Sequence, residues 1–576
     1  SDANTDADTE TGAHADSDGD ACESTVYEAE EMLASTGEAV ANGWNIWNEG
    51  DIQVDHLFVD EDSIEVVAKG VEANGWPNML VKVDGIAVGN VDVDSADWTS
   101  YFFPIPSTTG TTTISVAFTN DLWDPDQGLD RNLHVDKITV GCMDADAEPN
   151  PETNTDPGTV TDGDCAISAP LTGAGVVTLG ETGGNWTLYR DGAPYYVQGV
   201  GGQTNLSMAA DKGANSTRTW GSGNASWVLD TSADLGMTVL LGIWLSHNSG
   251  NYYDEGYKNG IRTELQGLLD NYKNHHALLM WALGNEINLG ADTQAAWEFV
   301  EELAGMIKAQ DPNHPVVTVI AGANGSVMNH VQQWAPSIDV IGVNSYGGVM
   351  HTHGNVDASN FDGPYMVTEW GPDGHWEVGG TSWGRPIEQT SASKAGSYGE
   401  RYDYITAQTG RCLGSYVFLW GQKQERTPSW YGMFAEVIPE LGLNGESYPT
   451  VDVMQEGWCG SSPENQAPVV SAMTINGHPA NANVTLYAGQ QVTVSVTASD
   501  WENDALTHVW ELLEEPTQVG EGGSFEARPS AVNGAIAGTG ATVQMTAPAN
   551  GEYRIFVYVL DGNGHAGSAN VPLLVQ

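Results

Sequence analysis

The chain has 576 residues, which is too long for one hydrophobic core and indicates about three or four domains. It carries 77 Asp and Glu against 19 Lys and Arg, a formal net charge of −58. Such a charge repels nucleic acid and anionic lipid, so we expect neither as a partner. The longest apolar runs are shorter than the roughly 18 residues that a spanning helix needs, so no transmembrane helix is predicted.

Residues 1–21 are acidic, low in apolar residues and rich in Asp, Thr and Ala, which is typical of a disordered leader. They lack the apolar core of a signal peptide, so we interpret them as the start of a processed, secreted protein. The high acidity favours solubility in salty water. We therefore expect an extracellular bacterial protein of marine or halotolerant type, acting as a monomer.

Residues 22–143 alternate short Val- and Ile-rich runs, such as SIEVVAKGV and TTTISVAFTN, with turn residues. This period-2 pattern predicts a β-sandwich. Its beginning, VYEAEEM, and its end, FTNDLWDPDQGLDRNLHVDKITV, resemble the calcium-dependent carbohydrate-binding modules of the jelly-roll type, especially xylan-binding ones.

That resemblance implies two calcium sites, since Ca²⁺ takes six to eight oxygen ligands from carboxylates and carbonyls on flexible loops. A structural site near the ends of the module would use Glu28, Glu30 and Asp136. A second calcium would touch sugar hydroxyls from a loop that carries four aspartates: Asp121, Asp124, Asp126 and Asp130. The alternative is a solvated acidic loop that binds no metal.

Five cysteines are present without any CxxC spacing, which argues against a zinc or redox motif. Cys22 and Cys142 flank the β-rich region, and Cys412 and Cys459 lie further along the chain. We therefore predict two structural disulfides, with Cys165 left over. Five reduced, buried thiols are the alternative.

Residues 144–164 are rich in Pro, Asp and Thr, which predicts a linker. From 165 to 461 the apolar runs become continuous and alternate with helical patterns, as expected for buried parallel strands and βα units. Eight such runs predict a (β/α)8 TIM barrel, whose working face is formed by the C-terminal ends of its strands. The runs are YVQGVGG, NSTRTWG, TVLLGIWL, LLMWALGNE, VVTVIAG, VIGVNSY, YMVTEWG and SYVFLWG.

The fourth run ends in Asn285-Glu286 and the seventh delivers Glu369. These strand ends resemble the retaining glycoside hydrolases of the large (β/α)8 clan. The resemblance implies Glu286 as acid/base and Glu369 as nucleophile. Such a mechanism needs two carboxyl groups about 5–5.5 Å apart, one protonated and one ionised, and no catalytic cofactor.

The same resemblance implies roles for other strand-end residues. Asn285 would bind the sugar 2-hydroxyl, Arg218 and Tyr346 would contact Glu369, and Trp420 would form the floor of the subsite at the scissile bond. The predicted substrate-binding set is completed by His247, Asn344 and Trp370.

Many aromatic residues at the predicted face favour a polysaccharide substrate, and the net charge favours a neutral one. The phrases GANSTRTWG, DLGMTVLLGIWL and SYVFLW resemble branches that act on β-1,3-glucans. We therefore predict an endo-β-1,3-glucanase of the laminarin type. Xylan, mannan and galactan or agar remain alternatives, as do a β-1,3-glucan transglycosylase and a non-catalytic glycan-binding protein.

Residues 462–576 begin with a short linker and continue as short strands with turns. The phrases NQAPVV, SDWENDALTHVWEL and LDGNGHAG resemble Ig-like or PKD-type modules of extracellular bacterial enzymes. The resemblance implies a packing or spacer role, with calcium binding by the acidic turns as an alternative.

Overall fold

The computed structural model describes residues 25–141 and 169–576, with short gaps at 35, 41–42, 48–49, 59–62, 72, 74–75, 84–85, 94, 97, 105–109, 119–121, 125–128, 409, 518 and 521–525. The contacts divide the chain between 155 and 156 into two compact units, which are described separately below. The predicted leader and linker, and Cys22, Cys142 and Cys165, lie outside the described residues.

The first unit is a β-sandwich, as predicted. Its strands are β1 (Thr25–Glu28), β2 (Leu33–Ala34), β3 (Glu38–Val40), β4 (Gly43–Ile46), β5 (Gly50–Phe58), β6 (Ser63–Val71), β7 (Asn78–Val83), β8 (Ile86–Asp92), β9 (Thr99–Pro104), β10 (Gly110–Phe118), β11 (Leu122–Asp124) and β12 (Leu129–Gly141). One sheet has the order β3-β4-β12-β6-β9, with β1 and β11 also paired to β12, and the other has the order β2-β5-β10-β7-β8. Alternate residues of β7 are buried, because one face of each sheet packs on the other.

The second unit contains a closed parallel barrel, as predicted. An antiparallel three-stranded sheet, β13 (Val177–Thr182), β14 (Asn185–Arg190) and β15 (Ala193–Pro194), precedes it. The barrel strands are β16 (Val197–Gly201), β17 (Ser216–Arg218), β18 (Thr238–Ile243), β19 (Leu278–Asn285), β20 (Val316–Ala321), β21 (Val340–Asn344), β22 (Tyr365–Trp370) and β23 (Cys412–Val417). All eight predicted apolar runs form these strands, and β23 pairs with β16 to close the barrel.

Helices cover the outside of the barrel. They are α1 (Leu206–Asp211), α2 (Ala225–Asp234), α3 (Glu255–Tyr272), α4 (Asn288–Ala291), α5 (Gln294–Gln310), α6 (Gly325–Trp334), α7 (Thr352–Asp357) and α8 (Ser391–Thr406), followed after β24 (Val437–Ile438) and β25 (Leu443–Asn444) by α9 (Pro449–Cys459). Capping side chains start several of them; Asp254, for example, accepts hydrogen bonds from the first amides of α3. The barrel interior contains apolar side chains such as Leu240, Met280 and Met366.

The C-terminal residues form a second sandwich that packs on the barrel. Its strands are β26 (Val469–Ile475), β27 (Thr485–Leu486), β28 (Gln491–Ser499), β29 (Thr507–Glu514), β30 (Ile536–Ala537), β31 (Thr542–Thr546), β32 (Gly551–Leu560) and β33 (Ala566–Val575). The buried Glu388 lies between the two domains: it accepts hydrogen bonds from Lys394 of α8 at 2.5 Å and from Asn570 of β33 at 2.6 Å. Such buried, charged contacts fix one orientation, so this sandwich is a part of the same compact unit.

The predicted disulfide between Cys412 and Cys459 is wrong. Cys412 begins β23 as a free, buried thiol, whereas Cys459 ends α9 and is disulfide-bonded elsewhere. Burial raises the pKa of the Cys412 thiol to about 11, so this sulfur stays protonated and behaves as a small core side chain.

Within the described residues, no helix is both long and apolar enough to cross a membrane.

Candidate active site

A cavity of about 920 Å³ opens at the C-terminal ends of the barrel strands. Asn285 ends β19 and Glu286 follows it, Asn344 ends β21, and Glu369 is the last residue but one of β22; all four line the cavity. Parallel strands of a closed barrel end on one face, so residues far apart in sequence meet there. The structure thus brings both predicted catalytic glutamates into one cavity.

Glu369 is surrounded by hydrogen-bond donors. Arg218 of β17 donates to Oε1 at 3.0 Å, and the indole of Trp220 donates to the same oxygen at 2.6 Å. The hydroxyl of Tyr346 donates to Oε2 at 3.0 Å. Three donors fix the orientation of this carboxyl group, which is what a nucleophile requires.

Glu286 has a different environment. Among the described residues, only Asn344 donates to its side chain, from Nδ2 to Oε1 at 3.1 Å. Burial and the nearby charge of Glu369 raise the pKa of Glu286 to about 7. This carboxyl therefore holds a proton in neutral or weakly acidic solution, as a general acid must.

The backbone of Glu286 is also unusual. Its φ of 53° lies in the left-handed region, shortly after Gly284, whose φ is 76°. A non-glycine residue in that region costs about 1–3 kcal/mol and is found mainly at functional sites. The conformation is held by the amide of Glu286, which donates to the carbonyl of Val319 on β20 at 2.9 Å.

Arg218, Asn285 and Asn344 form a buried network beneath the two glutamates. Arg218 donates to Oδ1 of Asn285 at 2.6 Å, and Nδ2 of Asn344 donates to the same oxygen at 3.0 Å. With its carbonyl thus engaged, Asn285 presents its amide nitrogen as the group that can meet a sugar hydroxyl. Asn344 thus touches both Asn285 and Glu286, and the contact of Asn285 with the sugar 2-hydroxyl stays a prediction.

Four residues of the predicted substrate-binding set do not line the cavity: Trp370, Trp420, His247 and Arg218, the last of which is buried and donates to Glu369. Trp370 is fully buried and stacks on Tyr402 of α8 at 5.9 Å between ring centroids. Trp420 is also fully buried, and its indole donates to the carbonyl of Asn205 at 3.0 Å. The predicted sugar contacts of both tryptophans are therefore wrong.

His247, the third of these residues, has a supporting position. Its Nε2 lies 2.7 Å from the carbonyl oxygen of Asn285, and its ring packs beside Trp244. It therefore orients the backbone next to Glu286 without lining the cavity, and direct contact of His247 with the substrate stays a prediction.

Several cavity residues were not assigned a role from the sequence. Trp220 contacts Glu369 directly, and Phe418 lines the cavity, whereas Trp420 does not. The rim adds Trp244 and Trp376, which are 45% and 61% exposed. Further cavity residues come from the loop after β23: Lys423, Glu425 and Arg426. The sequence contains these aromatic residues, but it does not show which of their side chains face the cavity.

The first unit allows a partial test of the predicted calcium sites. Glu28 pairs in register with Lys137, the neighbour of Asp136, so two predicted ligands come from adjacent backbone positions. Within the described residues, however, the carboxylates of Glu28, Glu30 and Asp136 do not converge to within 4.8 Å of one another. Asp121 and Asp126 lie outside the described residues, as do the side chains of Asp124 and Asp130.

The barrel thus presents a pair of carboxyls, Glu286 and Glu369, at the ends of its strands. The family described as "Glycosyl hydrolases family 2, TIM barrel domain" matches residues 213–379, which include both glutamates. The family described as "Ca-dependent carbohydrate-binding module xylan-binding" matches residues 63–155. The two matches lie in the barrel and in the N-terminal β-sandwich, respectively.

Among curated proteins, the chain is similar to two β-glucuronidases. That of Sus scrofa is 29% identical over 143 residues, covering 25% of this chain and 19% of the relative. That of Rattus norvegicus is 26% identical over 220 residues, covering 34% of this chain and 32% of the relative. The chain therefore spans less than a third of the length of either relative.

Among solved structures, the chain is similar to two further β-glucuronidases. The enzyme of Bacteroides uniformis is 12% identical, with 96% of this chain and 80% of that chain covered and a TM-score of 0.41. The enzyme of Dictyoglomus thermophilum is 13% identical, with 76% and 97% covered and a TM-score of 0.42.

Proposed function

We propose that the protein is a retaining glycoside hydrolase that cleaves a neutral β-linked polysaccharide by double displacement. One observation carries the proposal: two glutamates at the ends of β19 and β22 share a cavity but have opposite environments. The pair supplies a protonated acid and an ionised nucleophile, which are the two groups that the reaction needs.

In the first step, Glu369 attacks the anomeric carbon while Glu286 gives its proton to the departing glycosidic oxygen. A glycosyl ester of Glu369 and a free sugar hydroxyl result. In the second step, Glu286 removes a proton from water, and the water oxygen displaces Glu369 from the anomeric carbon. The new bond lies on the face that the leaving group occupied, and Glu286 regains its proton for the next cycle.

The charge of the cavity supports a neutral substrate. Besides the protonated acid Glu286, three glutamates line it: Glu369, Glu377 and Glu425. The two cations at the rim are already paired, Lys423 with Glu425 at 3.1 Å and Arg426 with Glu526 at 3.5 Å. A uronic acid, the sugar that the β-glucuronidases are named for, would bring another negative charge into this field.

The identity of the neutral sugar stays a prediction. The β-1,3-glucan of the laminarin type inferred from the sequence has no counterpart among the similar proteins described above. Xylan is the second candidate, because residues 63–155 match a module described as xylan-binding. The exposed Trp244 and Trp376 at the rim support a substrate of several sugars in either case, since pyranose rings stack on aromatic faces.

The first unit would supply binding to the same polysaccharide. Its match to a Ca-dependent module supports calcium as the metal, with the aspartate loop 121–130 and the Glu28, Glu30 and Asp136 set as the proposed ligands. We further propose that the protein acts outside the cell as a monomer.

The test is a product profile with laminarin, curdlan, xylan, mannan, agar and a β-glucuronide, using the full chain beside its Glu369→Ala variant. We expect release of oligosaccharides from a neutral glycan that vanishes in the variant, with the β-anomer formed first in NMR spectra. An α-anomer would contradict retention, and cleavage of the glucuronide alone would contradict a neutral substrate. Products longer than the substrate would indicate a transglycosylase, and binding without any cleavage would indicate a non-catalytic glycan-binding protein.

A further inference from the structure

The C-terminal sandwich reaches the candidate active site. Gly520, which follows β29 in the chain, lines the same cavity as the two catalytic glutamates. Glu526, six residues further along, is 3% exposed and is a buried acid at the boundary between sandwich and barrel. A module that acts only as a spacer is not expected to line the cavity.

Glu526 binds one barrel residue at two points. Its Oε2 accepts the backbone amide of Arg426 at 2.7 Å, and its Oε1 lies 3.5 Å from the guanidinium of the same residue. Oε1 also accepts the amide of Gly520 at 2.9 Å. Arg426 has a φ of 63°, which a non-glycine residue rarely adopts, so its conformation depends on such external contacts.

Arg426 carries this contact to the wall of the cavity. Its Nη2 donates to Nε2 of His375 at 3.1 Å, and Nδ1 of His375 lies 2.9 Å from the hydroxyl of Tyr431. Burial and the charge of Arg426 lower the pKa of His375 to about 4, so the neutral ring can accept from Arg426 on one nitrogen and donate from the other.

The next residue, Trp376, is the most exposed tryptophan of the cavity and packs edge-on against His375 at 4.8 Å and Tyr346 at 5.5 Å. Tyr346 in turn binds the nucleophile. A continuous set of contacts thus leads from the sandwich to a stacking surface beside the scissile bond.

We propose that Glu526 of the C-terminal sandwich is a positioning residue that holds Arg426 and, through it, the His375-Trp376 turn as a sugar-binding wall. The proposal rests on the glycosidase function proposed above. The sandwich then contributes to the choice of substrate, and its effect falls on the binding of longer glycans.

The test compares Glu526→Gln with Glu552→Gln in the full chain. Both glutamates belong to the sandwich and contact an arginine of the barrel, but the Glu552 partner, Arg385, lies outside the cavity. A glutamine side chain in place of Glu526 lacks the charge and the second acceptor oxygen. We therefore expect amide hydrogen exchange of residues 374–377 to rise about tenfold in Glu526→Gln and to stay unchanged in Glu552→Gln.

Kinetics provide the second readout. KM for an oligosaccharide should rise about tenfold in Glu526→Gln with a smaller change in kcat, whereas Glu552→Gln should match the wild type. Equal exchange at 374–377 in wild type and Glu526→Gln, or an equal effect of both variants, would overturn the proposal. An inactive wild type would refute the proposed function. The positioning role of Glu526 would still be tested, because hydrogen exchange at residues 374–377 does not need turnover.

Discussion

Glu286 and Glu369 are the same residue type at the ends of two strands of one barrel, but they meet different surroundings. Glu369 accepts three hydrogen bonds, one of them from a buried arginine, whereas Glu286 accepts one from a neutral amide. Burial and the charge of Glu369 raise the pKa of Glu286. The comparison teaches that the roles of acid and nucleophile are assigned by the neighbours of a carboxyl, not by its own chemistry.

The largest effect should follow from removing the nucleophile. Glu369→Gln leaves the donors in place but has no oxygen that can attack, so we expect kcat/KM to fall by at least about 10⁴-fold. Glu301→Gln is the matched control, because Glu301 binds Ser337 away from the cavity. A residual rate above about 1% of the wild type, measured on the polysaccharide, would break the assignment of roles.

Removing the acid should cost less, and the cost should depend on the leaving group. In Glu286→Gln we expect a loss of about 10²–10⁴-fold on the polysaccharide, where the leaving alcohol needs a proton. An aryl glycoside with an acidic phenol needs little protonation, so its first step should be nearly normal. Equal losses on the two substrates would show that Glu286 is not the proton donor.

The pH dependence of kcat/KM tests the difference between Glu286 and Glu369 directly. Because Glu286 must be protonated and its pKa is about 7, kcat/KM should decline above that pH, by roughly tenfold per unit. The hydrogen bond from Asn344 favours the ionised form and so lowers the pKa of Glu286. Asn344→Ala should therefore move the decline to higher pH. A shift to lower pH, or no decline in the wild type, would contradict this account.

The sequence predicted the barrel and its two glutamates because each strand is a continuous apolar run that ends in a polar residue. It did not predict Trp370 correctly, although adjacent strand residues point to opposite sides: with Glu369 facing the cavity, Trp370 faces α8. Trp420 lies beyond β23, where the irregular backbone has no such periodicity. Cysteine spacing likewise carries no pairing information, so Cys412 could not be recognised as a free thiol.

The hydroxyl of Tyr346 is one of the donors that separate the two carboxyls, and removing it should have a moderate effect. Tyr346→Phe keeps the ring against Trp376 but deletes the hydrogen bond to Oε2 of Glu369. We expect kcat to fall about tenfold, as for one hydrogen bond to a charged group. Tyr252→Phe, which loses a hydrogen bond to Ser246 outside the cavity, is the control and should keep its kcat.

The smallest effect concerns stability: Glu286→Gln, which lowers activity, should raise the stability of the folded chain. The folded chain keeps a proton on Glu286 up to a pKa of about 7, whereas an unfolded chain releases it near the ordinary value of 4.5. The folded state therefore binds more protons between these values, and the ionisation of Glu286 reduces stability as the pH rises through that window.

Glu286→Gln cannot ionise, so it should gain stability relative to the wild type between pH 4.5 and 7, and the difference should stay constant above that range. We expect a melting temperature about 2 °C or more above the wild type at about pH 8, and a smaller difference at about pH 5, in calorimetric scans at one heating rate. Glu301→Gln should show no such widening. If Glu286→Gln were no more stable than the wild type at about pH 8, the folded chain would not disfavour the ionised form of Glu286. The contrast with Glu369 would then have no electrostatic basis.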